Sequence, residues 1–352
     1  MRPTAVIATL LLSWALAAPA GARAYLSGDR IVIQGAPNTP ATVARDIRNK
    51  QLFEYEPALG TIVCGRNLDI GGELTVGGEH ESEGLFEYDN VFEMDVAKCG
   101  QARIDVRRGG VLRLISTKLV AIHDEKAQDN CSEANVLAVA GQLLLRDSAI
   151  SAGLDGQYTG GAHLDLLHSR LAYTRSSGLA LSGLRGAEVN IVDTNSVDNA
   201  LYGLSVGDIA GPLRLVRAVL RGLAADVFNR GRAAVSLEDC DYKTIEFGGP
   251  AGSVATRWRV TVKAGQPGLK VVAQSEPGAG RPERVEGVTG KGGACELLLT
   301  EYVALPPDLV TRQDGRNNAT PHEIAVYAPD GALLHKLTNY HVFMPDQEVR
   351  FE

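Results

Sequence analysis

LRLISTKL (112–119) decides the fold, because it returns five more times before residue 243. The later copies read LLLRDSAI (143–150), LDLLHSRL (164–171), VNIVDTNS (189–196), LRLVRAVL (213–220) and VSLEDCDY (235–242). Each opens with two apolar residues spaced by one: Leu112/Leu114, Leu143/Leu145, Leu164/Leu166, Val189/Ile191, Leu213/Leu215 and Val235/Leu237. Three residues after the second comes a small one, namely Thr117, Ser148, Ser169, Thr194, Ala218 or Cys240. An apolar residue usually follows two later (Leu119, Ile150, Leu171, Leu220, Tyr242). The copies begin 31, 21, 25, 24 and 22 residues apart. Self-similarity at this period marks a solenoid, whose units bury their apolar faces only by stacking on one another. Leu114, Leu145, Leu166, Ile191, Leu215 and Leu237 are then expected to form one inward column.

Two solenoids share this spacing. A leucine-rich repeat needs a further Leu three residues before the apolar pair. Those positions hold Gly109, Ala140, Gly161, Gly186, Ala210 and Arg232. The remainder of each unit is a run such as SSGLALSGLRG or NALYGLSVGD, which reads as strands ended by glycine turns rather than as a Leu-rich helix. With three short strands per coil of this length, residues 60–250 resemble the right-handed parallel β-helix of the pectate-lyase-like superfamily. The resemblance implies an all-β chain built on that solenoid.

The chain opens with an export signal over residues 1–24. Arg2 precedes the apolar run Ala5 to Ala18, and Ala22-Arg23-Ala24 has the small-x-small form of a cleavage site. The run is too short for a membrane span, so a secreted or periplasmic location is expected. The Ala/Gly/Leu/Arg-rich composition points to a bacterial source. Removing Arg2 and Arg23 leaves 33 basic against 42 acidic residues, a net charge of −9. Such a surface argues against nucleic acid or an anionic membrane as a general partner. One local exception runs from Arg170 to Arg232, where eight Arg (170, 175, 185, 214, 217, 221, 230, 232) face five acids. They read as surface arginines whose stems pack on neighbouring coils.

Residues 25–100 read as the N-terminal cap and first coils, because a solenoid must cover its apolar cross-section and its strand edges. Thr39-Pro40 followed by ATVARDIRNKQLF predicts a capped helix with Val43, Ile47 and Phe53 on one side. NLDIGGELTVGG and FEMDVAKCGQARIDVRRGG then alternate as early coils. Residues 101–251 form the solenoid proper. Cys64, Cys99, Cys131, Cys240 and Cys295 remain after the signal. An oxidising compartment makes one or two disulfides expected, with Cys64–Cys99 the preferred pair and Cys240 a core residue. No Cys/His spacing suggests a metal, and no cofactor motif is legible.

Candidate chemistry appears once the copies are aligned. One position before the small residue lie Ser116, Asp147, His168, Asp193, Arg217 and Asp239; two positions further on lie Lys118, Ala149, Arg170, Asn195, Val219 and Asp241. Stacked at a strand spacing of about 4.8 Å, these form two neighbouring outward columns. Asp147 and Asp193 then stand roughly 9–10 Å apart with His168 between them, close to the carboxyl separation of inverting glycosidases. The longest interval holds an insertion with His123, Asp124, Glu125 and Lys126, and insertions on one side of a solenoid often line its binding face. Lys118, His123 and His168 are therefore the candidate proton carriers, with Asp147 and Asp193 the hydrolase alternative. Arg170, Asn195, Arg217, Asp124, Glu125 and Lys126 are the candidate binding residues. Asn130-Cys131-Ser132 and Asn318-Ala319-Thr320 match the glycosylation acceptor pattern.

Members of the pectate-lyase-like superfamily that cleave uronate chains use a Lys or Arg base, usually with Ca²⁺. Polygalacturonase relatives carry an Asp-Asp pair and a Gly-His-Gly stretch. Neither that Asp-Asp pair nor Gly-His-Gly occurs here, nor a clustered Asp ladder, so the resemblance transfers no catalytic residue.

Gly248-Gly249-Pro250 marks a boundary, and residues 252–352 change rhythm to about seven strands separated by Pro-Gly, Gly-Lys-Gly-Gly and Pro-Asp-Gly turns. GVTGKGGACELLL and TPHEIAVYAPDG resemble the carboxypeptidase-regulatory and transthyretin-like β-sandwiches, with His322 where those carry an aromatic. The expectation is an exported β-helix followed by a small β-sandwich. It binds a polysaccharide or other surface glycan without catalysis. A lyase or hydrolase of acidic polysaccharide is the first alternative, and a purely structural surface protein the second.

Overall fold

The computed structural model describes residues 23–35, 37–77, 88–95, 103–122, 137–151, 154–157, 163–172, 177–182, 184–185, 188–306 and 315–351. Their architecture is all-β. The helix Pro40–Ile47 is the only α-helix among the described residues, and no described helix is long and apolar enough to cross a membrane.

Each of the first five repeat copies spans two strands, and the sixth spans one strand and an isolated bridge at Asp241. LRLISTKL contributes Val111–Ile115 to a first sheet and Thr117–Ile122 to a second; the chain then passes to Leu137–Val139 in a third sheet before returning to the first at Gln142–Arg146. Eight strands of the first sheet follow one another in parallel, from Glu73–Val76 to Ser253–Lys263. The other two sheets are also parallel through the repeats. A strand that is paired on both sides needs only two or three inward apolar residues per pass, which is what each copy supplies.

The expected inward column exists. Leu114, Leu145, Leu166, Ile191, Leu215 and Leu237 are register partners in succession, and each is at most 1% exposed. Val76 extends the column by one rung at the start. Where the chain turns from the third sheet into the first, glycine is demanded by contact with the rung below. A Cβ on Gly110 would lie 2.1 Å from the Ile70 carbonyl oxygen, and one on Gly141 2.3 Å from that of Arg107.

The start of the stack is covered as its apolar cross-section requires. Thr39 caps the helix Pro40–Ile47 and exchanges hydrogen bonds with Thr42; Val43 and Ile47 are buried. Antiparallel strands Ala24–Ser27 and Phe53–Glu56 pair with the edges of the third and second sheets. Phe53 is buried as expected but does not belong to the helix. Arg48 adopts a left-handed conformation that ends it, and Phe53 reaches the core from the following strand, edge-on to Phe92 at 6.5 Å.

The expected Cys64–Cys99 bridge is corrected. Cys64 is a free thiol at an inward strand position, fully buried, with Sγ 3.2 Å from the Arg66 carbonyl oxygen. Burial pushes this thiol up to about 12. Cys99 and Cys131 lie outside the described residues. Cys240 is likewise buried and free.

The seven strands expected beyond residue 252 are present, together with Arg316–Asn318. Lys270–Ser275, Arg284–Val288, His322–Tyr327 and Leu333–Tyr340 make a four-stranded antiparallel sheet. Its Val271, Ala273, Ile324 and Val326 pack on Val260, Val262, Leu297 and Leu299 from the far end of the first sheet, forming a second core. The strand Ser253–Lys263 belongs to both parts. Its first half pairs with Ala234–Glu238 in the stack, while its length pairs antiparallel with Ala294–Ala304. Val254, Tyr302 and Ala304 accordingly join the core of the stack. His322 is fully buried, its Nε2 3.5 Å from the Glu283 carboxylate.

Candidate functional site

The row of Ser116, Asp147, His168, Asp193, Arg217 and Asp239 occupies the corner between the first and second sheets. All six adopt left-handed backbone, with φ between 48° and 52°. One residue in this conformation turns the chain sharply enough to end one strand and start the next. Asp tolerates it best among non-glycine residues here and fills three of the six corners. The ladder of backbone bonds continues through the turn: Asp147 N–H donates to Leu167 O, His168 N–H to Val192 O and Asp193 N–H to Val216 O, at 3.0–3.1 Å.

The following small residue points inward and is at most 2% exposed in every copy. Its role is to satisfy the corner. Thr117, Ser148, Ser169 and Thr194 each donate a hydroxyl hydrogen bond to the carbonyl two residues back, at 2.8–3.1 Å. Ser148 and Thr194 also reach a carbonyl of the preceding rung, Leu114 at 3.0 Å and Leu166 at 3.1 Å. Cys240 makes the same contacts through sulfur, and Ala218 omits them. A buried polar group needs such partners, so this column is structural.

The side chains of Asp147, His168, Asp193 and Arg217 emerge from the stack and pair with one another, whereas that of Asp239 is buried against Arg259. His168 Nδ1 lies 3.4 Å from Asp147 and its Nε2 lies 3.2 Å from Asp193. Arg217 grips the Asp193 carboxylate with two bonds of 2.5 and 2.7 Å. Asp239 accepts from the Arg259 N–H at 2.7 Å and faces its guanidinium at 3.3 Å. The Arg217 guanidinium beside Asp193 holds that carboxyl below the usual carboxylate range, chiefly through these hydrogen bonds. Ser116 departs from the expected outward column, being 3% exposed, with its Oγ accepting the Asp89 N–H.

The neighbouring column also stacks in the expected register, Lys118 beside Ala149, then Arg170, Asn195, Val219 and Asp241. It is not a continuous polar row. Ala149 is buried, Lys118 is exposed, and Asn195 is half-buried. Arg170 bonds Asp198 at 3.0 Å. The structure thus brings together Asp147, His168, Asp193 and Arg217 and sets Lys118, Arg170 and Asn195 beside them. His123, Asp124, Glu125 and Lys126 lie outside the described residues. No described group of three or more His, Cys, Asp and Glu is arranged to hold a metal.

The basic stretch resolves the same way. Arg214 grips Glu238 at 2.7 and 2.6 Å, and Arg221 bonds Asp241 at 2.5 Å. These are rung-to-rung pairs that neutralise the local excess.

A concavity that sequence reasoning missed lies where the last corner meets Ser253–Lys263. It encloses about 590 Å³ and is lined by Tyr242, Trp258, Glu301, Tyr302, Arg316 and Phe343, among others. Trp258 Nε1 donates to Glu301 at 2.7 Å, and the Tyr242 and Tyr302 hydroxyls are 2.9 Å apart. Burial raises the Glu301 carboxyl above its ordinary value, against the lowering effect of that indole bond. Only the low aromatic content of the whole chain, 5%, makes four aromatics in one cleft conspicuous.

No family model matches this chain, and no curated protein or solved structure matches it.

Proposed function

We propose that this is an exported bacterial protein whose body is a right-handed parallel β-helix of the pectate-lyase-like kind, followed by a β-sandwich, and that it binds a surface glycan without cleaving it. The stacking of three parallel sheets over successive repeat copies supports the solenoid reading. The observation that carries the absence of catalysis is the closure of the corner row on itself. Both ring nitrogens of His168 face carboxylates, and Asp193 is clamped by Arg217. A general acid or base must have its proton-carrying atom free to reach substrate. In the corner row the atoms of His168 and Asp193 that would carry the proton are engaged by neighbouring side chains.

For binding, the same face has the right regularity. Arg170 and Asn195 follow one another at the strand spacing beside the corner row, with Lys118 two rungs before Arg170 across the buried Ala149, and an axial row of this kind suits a polymer whose sugars also repeat. The test is retention of the full chain on a panel of neutral and acidic polysaccharides, read by affinity electrophoresis. Retention by at least one member is expected, weakened in Lys118→Ala and in Arg170→Ala. No retention across the panel would leave the purely structural reading in its place.

A further inference from the structure

The cleft at the last corner brings together residues distant in the sequence. Tyr242 ends the sixth repeat copy. Trp258 lies on the strand shared by both cores, Tyr302 and Glu301 on its antiparallel partner, and Arg316 on the edge strand Arg316–Asn318. Phe343 comes from the loop after Leu333–Tyr340. That loop is held in place rather than hanging free. Val342 is 1% exposed and anchors it, and the Gln347 side chain accepts the Phe343 N–H at 2.9 Å and donates to the His341 carbonyl at 3.3 Å. Phe343 itself is 55% exposed, an aromatic face presented to solvent at the mouth of a concave site.

From this arrangement we propose that the cleft is a saccharide-binding site for a neutral sugar, the end or a short stretch of a glycan. Its volume falls within the range of small-molecule sites, roughly 300–1,000 Å³. Its lining is amphipathic in the way a sugar ring is. Phe343 and Trp258 supply apolar faces for the C–H face of a pyranose, whereas one face of Tyr302 is already covered by Arg316, 4.4 Å from its centroid. Around them stand groups that pair with hydroxyls. Glu301 offers its carboxylate, one oxygen of which accepts from Trp258. Lys243 also lines the cleft. Charge is close to balanced, because Asp239 and Asp241 are matched by Arg259 and Arg221, and Glu301 lies near Arg316. A site without a strong net field selects a neutral ligand, and hydroxyls of both donor and acceptor character suit these partners.

This inference rests on the glycan reading above for its ligand class, but it uses a different site. Trp258 makes the two separable, because the chain has two tryptophans and the other is Trp14. In full-length protein carrying Trp14→Phe, indole emission reports on the cleft alone. Cellohexaose, xylohexaose, mannohexaose and N-acetylated chitohexaose are titrated separately, with an oligogalacturonate as the acidic comparison. At least one neutral probe is expected to change the emission saturably. Phe343→Ala should raise its midpoint about tenfold, the effect of losing one aromatic face, and Lys50→Ala, an exposed change in the N-terminal cap, should leave it in place. Phe343 is exposed enough that the variant keeps its fold, checked by an unchanged circular dichroism spectrum and melting curve. Silence with every neutral probe, a response to the acidic probe alone, or a midpoint unmoved by Phe343→Ala overturns the proposal. If Trp258 is silent while polysaccharide retention persists, the cleft assignment falls and the glycan reading survives; if retention is also absent, both fall.

Discussion

Replacing His168 by Val and by Gly separates the corner's backbone from its side chain. His168 sits at φ 48°, a conformation that costs an L-residue roughly 1–2 kcal/mol and that a β-branched residue adopts only as an outlier. Its side chain is 62% exposed, so its two contacts with Asp147 and Asp193 are worth about 0–1 kcal/mol each. His168→Gly loses those contacts and gains unfolded-state entropy, about 0.4–1 kcal/mol against it. It also relieves the corner by about the amount the left-handed turn costs. The net change is expected to stay within about 1 kcal/mol of the parent. His168→Val loses the same contacts and adds about 1–2 kcal/mol of backbone strain, a total of about 1–4 kcal/mol. Urea unfolding followed by circular dichroism measures both, with the slope compared so that only the midpoint carries the difference. Val at Asp165, an outward position within a strand, serves as the control and should be tolerated. Equal midpoints for the Gly and Val variants would show that the corner is not left-handed and would refute the reasoning.

Leu166 is fully buried between Leu145 and Ile191. Leu166→Ala should therefore lower stability by about 2–5 kcal/mol, and Leu166→Asp should prevent folding by burying an unpaired charge, both read by melting. The folded pKa of Asp193 lies below its unfolded value. Its contribution is then present above the unfolded value of about 4 and lost as pH falls through the lower folded value; Asp193→Asn should flatten that acid limb in pH-dependent unfolding. Cys64 and Cys240, buried and with thiols pushed up to about 12, should resist iodoacetamide in the native protein and react once it is unfolded, as counted by mass spectrometry.

Legibility in the sequence followed locality. The six copies exposed the strands, the inward Leu column and the register of the two neighbouring columns, though not the burial of Ser116 and Ala149 within them, because a period of two within a longer period leaves few alternatives. They did not expose the corner conformation. Asp147, Asp193, Asp239 and His168 are of types compatible with a left-handed residue, but Ser116 and Arg217 carry no such signal, and only the geometry shows that all six corners share one φ. Charge pairing along the row was likewise hidden, since His168 meets both carboxylates only after the chain has closed a full circuit on either side. Phe53 was assigned to the helix because its spacing from Ile47 still fitted, whereas the left-handed Arg48 had already ended it. Cys64 reads as a bridge candidate from an oxidising compartment and from its place, with Cys99, beside the first coils, and its inward strand position makes it a core thiol. The cleft had no sequence signature, because its lining comes from five separate segments between Asp239 and Pro345.

The central claim, binding without cleavage, is tested most directly on the polymer itself. A polysaccharide that retains the protein is incubated with it at length, and its size distribution is compared before and after by gel filtration, with unsaturated and reducing ends assayed on the same sample. The account predicts an unchanged chain length in the parent and in His168→Ala alike. Shortening by the parent that disappears in His168→Ala or Asp193→Asn would contradict it and make the corner row an active site.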